Sequence, residues 1–278
     1  MGEALTIESQ EIASWPSDEL NPSRLTMPNE IPWPLPPAHP VLAATDVHVW
    51  AAHLDLCPAA LRRLAAILDE AESARATHFR SHTHQNRFIA ARGVLRSILG
   101  DYLECAPDEL QFEYGANGKP ALIGRFVERD LSFNVAHSED LALIAVTHIG
   151  PIGVDVEEVR PMADADQLVA RFFSPRENAR FHTLTADQKA VAFFNLWTRK
   201  EAWLKATGEG IAHSLNRVEV TFLPGEPARL LSLPESLESK KGWALRELLP
   251  APGFVGAVAV ADLQFPICNY QFSIPKSL

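Results

Sequence analysis

Pro151-Ile-Gly-Val-Asp-Val-Glu157 reads as a β-strand, and Trp197-Thr-Arg-Lys-Glu-Ala-Trp-Leu-Lys205 reads as the middle of a long helix. Residues i and i+2 of a strand share a face, so Asp155 and Glu157 point one way while Val154 and Val156 point the other. On a helix, Trp197, Glu201 and Lys205 follow i, i+4, i+8 and form one stripe. Working outward, the helix is expected from about Ala186 to Ala206, stopped by Gly208, with helical patterns before it from Asp164 to Phe181. Strands are expected at Arg217–Phe222, Trp243–Leu248 and Val255–Ala261.

The preceding segment has the same flavour. Asp46–Leu54 is strand-like, Pro58 opens a helix, and Ser73–Gly100 suggests one or two helices ended by Gly100. Leu110–Tyr114, Leu131–Val135 and Leu141–Val146 read as strands, with a turn at Gly115–Pro120. Helices placed before antiparallel strands in each half favour an α+β fold. No repeat is visible at the level of residues, although the helix-then-strand order recurs. The expected division is a proline-rich acidic leader over 1–44, an α+β half over 45–150, and a second α+β half over 151–278. The leader holds eight prolines and is expected either as an extended strap, which Trp15 and Trp33 could pin to the folded body, or as a disordered segment.

At 278 residues, 47% hydrophobic and 22% charged, the chain can bury a core, which excludes wholesale disorder. Its formal charge of −10 argues against general nucleic-acid binding. Cys57, Cys105 and Cys268 lie far apart, so a disulfide framework is not expected and a reducing compartment is. No secretory signal or membrane-spanning run is found, so a cytoplasmic location is expected. The charge is uneven. The leader carries six acids against one base, whereas Ser73–Gly100 holds Arg75, Arg80, Arg87, Arg92 and Arg96 with no acid. That segment suggests an anion-binding surface, unless acids elsewhere in the fold pair with it.

Asp155 and Glu157 side by side suit a hard divalent cation such as Mg²⁺, and equally suit a solvated strand face. Glu201 could complete the metal site and Lys205 could hold a phosphate, or the two could be an ordinary surface pair. Lys119, on the turn Asn117-Gly-Lys-Pro120, and His137, at the end of Asn134-Val-Ala-His-Ser138, could each contact a phosphate. None of the cysteines falls in a motif suited to a nucleophile.

In order and spacing, NGKPAL, FNVAHS, GVDVE and FNLWTRKEAWLKATGEG resemble the surfactin-type 4′-phosphopantetheinyl transferases, over roughly Ala71 to Gly210. The resemblance implies two similar α+β halves in a monomer, with coenzyme A as co-substrate in the cleft between them. It implies transfer of phosphopantetheine to a serine of an acyl or peptidyl carrier protein, releasing 3′,5′-ADP. The carriers would belong to polyketide, non-ribosomal peptide or fatty acid synthases; neither nucleic acid nor membrane is implied as a partner. Carried over by position, Asp155, Glu157 and Glu201 would hold Mg²⁺, with Mn²⁺ as an alternative. Glu201 would be the base, and Lys205 would neutralise or protonate the leaving group. Arg75, Gly118, Lys119, Pro120, Asn134, His137, Asp155 and Lys205 would contact coenzyme A. Ala136 departs from the serine often found before the histidine, which would remove one phosphate-binding hydroxyl. Two other functions compete with it: a Mg²⁺-dependent phosphohydrolase of coenzyme A or a nucleotide, using the same carboxylates, and a non-catalytic carrier-protein binder, against which the intact Asp155, Glu157, Glu201 and Lys205 count. An apolar patch including Phe172 and Phe173 could receive the carrier, or both could be core.

Overall fold

The computed structural model describes residues 33–37, 39–115, 118–208, 215–233, 242–261 and 267–272. Strand β1 (Val47–His53) leads into helices α1 (Pro58–Ala65), α2 (Glu70–Ala76) and α3 (His82–Leu103). Strands β2 (Phe112–Tyr114) and β3 (Pro120–Leu122) form a small hairpin, and β4 (Ser132–Ser138) and β5 (Leu141–Thr147) a larger one. After β6 (Ile152–Glu158) come α4 (Ala165–Phe172), α5 (Pro175–Phe181) and α6 (Ala186–Thr207). Strands β7 (Glu219–Val220), β8 (Leu230–Ser232), β9 (Trp243–Leu248), β10 (Phe254–Ala261) and β11 (Ile267–Gln271) complete an α+β fold.

Two main sheets form, in the orders β11-β1-β5-β4 and β6-β10-β9. The period-two alternation of their strands sets the layering. Val47, Val49 and Ala51 of β1 join Leu141, Leu143 and Ala145 of β5 in a core shared with Ile152, Val154 and Val156 of β6. The opposite faces carry Trp50, Ala52, Ala142 and Ile144, which pack on Val94, Leu95, Ile98 and Leu99 of α3. In the second sheet Val255, Ala257 and Ala259 of β10 face α6. Two sheets thus lie against each other between two helical layers.

A repeat hidden in the sequence becomes visible here. α2 and α5 each begin with a capping box, Asp69 with Glu72 and Ser174 with Glu177. The glutamate of each box is buried and meets a cation at the fifteenth position of a 22-residue helix: Arg96 Nε to Glu72 at 2.6 Å, and Lys200 Nζ to Glu177 at 2.6 Å. Asp/Ser caps and Arg/Lys cations are chemically interchangeable at these positions, so the repeat survives as geometry and not as identity.

Several boundaries differ from expectation for physical reasons. α3 passes through Gly100 and ends where Glu104 takes a left-handed φ of 53°. A Cβ at Gly100 would lie 3.0 Å from the Cys105 carbonyl oxygen, so this glycine admits a close approach and does not stop the helix. Of the expected strand Arg217–Phe222 only Glu219–Val220 is regular strand; Thr221 N still donates to the Arg229 carbonyl at 3.0 Å, but the Thr221 and Phe222 carbonyls accept from Arg199 at 2.6 Å and Asn195 at 3.2 Å. β11 returns from the end of the chain to pair parallel with β1, across the expected division at 150/151. Trp33 does pin its segment: its Nε1 donates to the Leu249 carbonyl at 3.0 Å, and Gln271 N donates to the Pro34 carbonyl at 2.9 Å. Trp15 lies outside the described residues. Among those residues, no helix is long and apolar enough to cross a membrane.

Candidate active site

The site begins with a glycine. Gly153, Asp155 and Glu157 share the face of β6 turned toward α6, which packs directly on that strand. A Cβ on Gly153 would lie 2.9 Å from the Lys205 carbonyl carbon, and closer still to the Ala202 carbonyl oxygen and the Ala206 nitrogen. Only the missing side chain lets the helix backbone rest on the strand, and that contact brings Glu201 and Lys205 alongside Asp155. Lys205 Nζ donates to Asp155 Oδ1 at 2.7 Å.

The motif around α6 divides by direction. Arg199 and Lys200 are fully buried and point away from β6. Arg199 donates to the carbonyls of Thr221 and Glu226 and to Glu247 Oε1; Lys200 donates to Glu177 and to the carbonyls of Leu215 and Val218. They hold residues 215–226 in place. Trp197 stacks on Phe193 at 6.2 Å between ring centroids and meets Phe173 edge-on, so it is a packing residue. Phe173 is core, and Phe172 packs partly buried against that core, so neither forms a free apolar patch.

The carboxylates are short of positive charge. Asp155 Oδ2 and Glu201 Oε1 are buried without a hydrogen-bond partner. Burial, then the Asp155 charge, raises Glu201 to about 8, with Lys205 opposing and Glu157 adding. Burial and Asp155 likewise raise Glu157 to about 7, against a hydrogen bond from Ser138. Burial lifts Asp155 as well, with Lys205 pulling it back. For Lys205, burial works against the charge, but Asp155, Glu201 and Glu157 outweigh it and raise its pKa. Three acids face one ammonium, and with Arg160 3.9 Å from Glu157 the group still carries a negative charge in excess when all are ionised. Among the described residues, however, no three ligating side chains converge to enclose an ion by themselves.

Beside this cluster runs a row of cations from the first half. Arg75 is exposed, with its guanidinium 5.5 Å from the Phe88 ring centre. Arg92, nearly buried, lies 5.9 Å from the same ring and 5.0 Å from that of Tyr114, with Glu72 at 3.6 Å from its Nε. His137 is exposed toward solvent, yet the surrounding walls and then Lys205, Arg92 and Arg75 lower its pKa. Lys119 Nζ donates to the Lys205 carbonyl at 2.7 Å and lies 3.4 Å from that of Ile152, tying the β2–β3 turn to the end of α6. Gly118 takes a left-handed φ of 71° in that turn, and Pro120 is buried in β3. Asn117 lies outside the described residues.

Some sequence expectations change here. Asn134 is buried, and its Oδ1 accepts from Val154 N at 2.9 Å, so it joins β4 to β6 instead of facing a ligand. Ala136 sits in the core between the sheets, where a hydroxyl would face apolar side chains and no phosphate. The basic stretch is largely paired: Arg87 binds Asp55 through two nitrogens and Glu139 through a third, and Arg96 is buried against Glu72 and Asp69. Arg92 and Ser138 also lie beside the cluster, Ser138 against Glu157, and the sequence alone does not single them out. The sequence signal for each was present, Arg92 in the basic run and Ser138 in Asn134–Ser138, but their direction was not.

A family profile described as the 4′-phosphopantetheinyl transferase superfamily covers residues 151–257, and one described as 4′-phosphopantetheinyl transferase, N-terminal, covers residues 55–149. The 4′-phosphopantetheinyl transferase HetI of Nostoc sp. is 45% identical over 229 residues, spanning 82% of this chain and 93% of that protein. A phosphopantetheinyl transferase of Thraustochytrium sp. is 28% identical over 225 residues, spanning 77% of this chain and 76% of that protein. The chain belongs to the 4′-phosphopantetheinyl transferase superfamily and transfers phosphopantetheine to carrier proteins.

Proposed function

We propose that the reaction draws phosphopantetheine from coenzyme A, requires Mg²⁺, and runs in the cleft between β4, β6 and α6. The observation that carries this reading is the buried group of Asp155, Glu157 and Glu201, whose charge Lys205 and Arg160 do not fully offset, beside a row of cations. Buried carboxylates that repel each other are retained where a cation relieves them. Mg²⁺ commonly takes one or two carboxylates and fills its remaining positions with water and substrate phosphate, so an unclosed donor set suits it. Asp155, Glu157 and Glu201 would hold the ion, which would neutralise developing charge on the pyrophosphate oxygens.

The chain's own residues supply the rest. The carrier serine oxygen attacks the phosphorus that bears the pantetheine arm, and the bond to the bridging oxygen breaks, releasing 3′,5′-ADP. Glu201 accepts the serine proton, directly or through water. Lys205 neutralises the charge gathering on the leaving diphosphate. Arg75, Arg92 and His137 favour the phosphates of the adenosine end, with Lys119 beside them holding the wall of the cleft. Both walls come from a single chain, which supports a monomer. Three free cysteines fit a cytoplasmic location.

The test is a mass measurement. Protein, coenzyme A, Mg²⁺ and apo carrier domains are incubated, and the carriers are weighed. A gain of one phosphopantetheine arm is expected, and Glu201→Ala abolishes it while the thermal transition stays cooperative. Full activity in Glu201→Ala refutes the base assignment. Coenzyme A cleavage without carrier modification supports the phosphohydrolase reading instead.

A further inference from the structure

We infer that Ser138 is a positioning residue for the reaction: from strand β4 of the first half, its hydroxyl orients the Glu157 carboxylate of the second half toward a bound divalent cation. The inference rests on the metal reading above. Ser138 Oγ donates to Glu157 Oε2 at 2.8 Å and accepts from Glu158 N at 3.2 Å. A hydroxyl has one proton to give, and here it goes to the carboxylate while a lone pair takes the neighbouring amide. Both contacts cross the seam between β4 and β6, which share no backbone ladder in the sheet order. The hydroxyl torsion is therefore set from two sides.

The same Glu157 oxygen lies 3.9 Å from an Arg160 nitrogen. With Oε2 occupied by Ser138 and flanked by Arg160, Oε1 is the oxygen left for a cation. A carboxylate fixed this way loses less rotamer freedom on binding an ion than a free one. The neighbouring residue, His137, points to the other face of β4 and toward the cation row. Two adjacent residues of one strand thus serve the two halves of the site, one at the ligand phosphates and one behind the metal carboxylate.

The experiment measures Mn²⁺ binding to the full chain by electron paramagnetic resonance, beside thermal melting, for wild type, Ser138→Ala, Ser138→Thr and Asp155→Asn. Partners behind a metal ligand typically change affinity about 10- to 100-fold. Ser138→Ala is expected to weaken Mn²⁺ by about tenfold or more, and Ser138→Thr, which keeps the hydroxyl, to restore most of the loss. A purely structural role would lower the melting temperature and leave Mn²⁺ affinity unchanged; that result overturns the inference. Should Ser138→Ala fail to fold, Ser138→Cys, similar in size and a weak donor, is read by the same criterion. If Asp155→Asn binds Mn²⁺ as wild type does, the metal reading itself has failed, a result distinct from failure at Ser138 alone.

Discussion

Gly153→Ala tests the contact on which the site depends. The added methyl would lie 2.9 Å from the Lys205 carbonyl carbon and closer to the Ala202 oxygen and the Ala206 nitrogen, where ordinary carbon contacts need about 3.5–4.0 Å. All three atoms are helix backbone, so no flexible side chain can yield, and α6 must lift from β6 by several tenths of an ångström or more. Overpacking a close-packed core costs about 1–3 kcal/mol, and a backbone clash belongs at the upper end. For a chain of this size about 3 kcal/mol lowers the melting temperature by about 6–12 °C. The lift also stretches the 2.7 Å pair between Lys205 and Asp155, so transferase activity falls more steeply than stability alone requires. Differential scanning calorimetry and the carrier mass assay, run well below the transition, read the two effects. Gly115→Ala is the control, because its nearest atom would be the Lys119 carbonyl oxygen at 3.8 Å. A Gly153→Ala protein with wild-type melting temperature and activity would falsify the reasoning.

Two further outcomes follow from the charges. Glu157 and Glu201 have folded pKa values raised to about 7 and about 8 from an ordinary 4.5, so their contribution to stability is intact below about pH 4.5 and is lost as pH rises through those values. In chelator the melting temperature should therefore decline from about pH 4.5 to about pH 8, Mg²⁺ should reverse the alkaline part, and Glu201→Gln should flatten it; a Glu201→Gln profile that tracks wild type refutes the account. Arg92→Ala should raise the KM for coenzyme A by about tenfold or more with a smaller change in kcat, since a charged hydrogen bond contributes about 1.5–3 kcal/mol. Arg92→Lys should fall between, because it keeps the charge and loses the planar fork; an unchanged KM in Arg92→Ala removes Arg92 from the binding surface.

Much of this was legible before any coordinates. Alternation placed Asp155 and Glu157 on one face of β6, and helical spacing put Glu201 and Lys205 on one stripe, because both periods are properties of the backbone. Arg199 and Lys200 lie between that stripe and the opposite face, and spacing alone does not say that their charges are met by buried carbonyls of residues 215–226. Asn134 shows the same limit: a polar residue in a site motif proved to be a joint between strands.

The sequence by itself determined most of the elements, the stop of α6 at Gly208, the identity of the acidic and basic site groups, and an acidic chain holding a local basic segment. Local chemistry decides these, since each depends on residues within a few turns or one strand. Only the tertiary structure decided how the arginines are used: Arg87 and Arg96 are taken by distant acids, Arg92 is only loosely paired with Glu72 at 3.6 Å, and Arg75 is exposed. It alone also decided that Gly153 is the point where α6 rests on β6, and that β11 belongs to the first sheet. Pairing and close approach are settled between segments far apart in the chain, and local sequence carries no record of the partner.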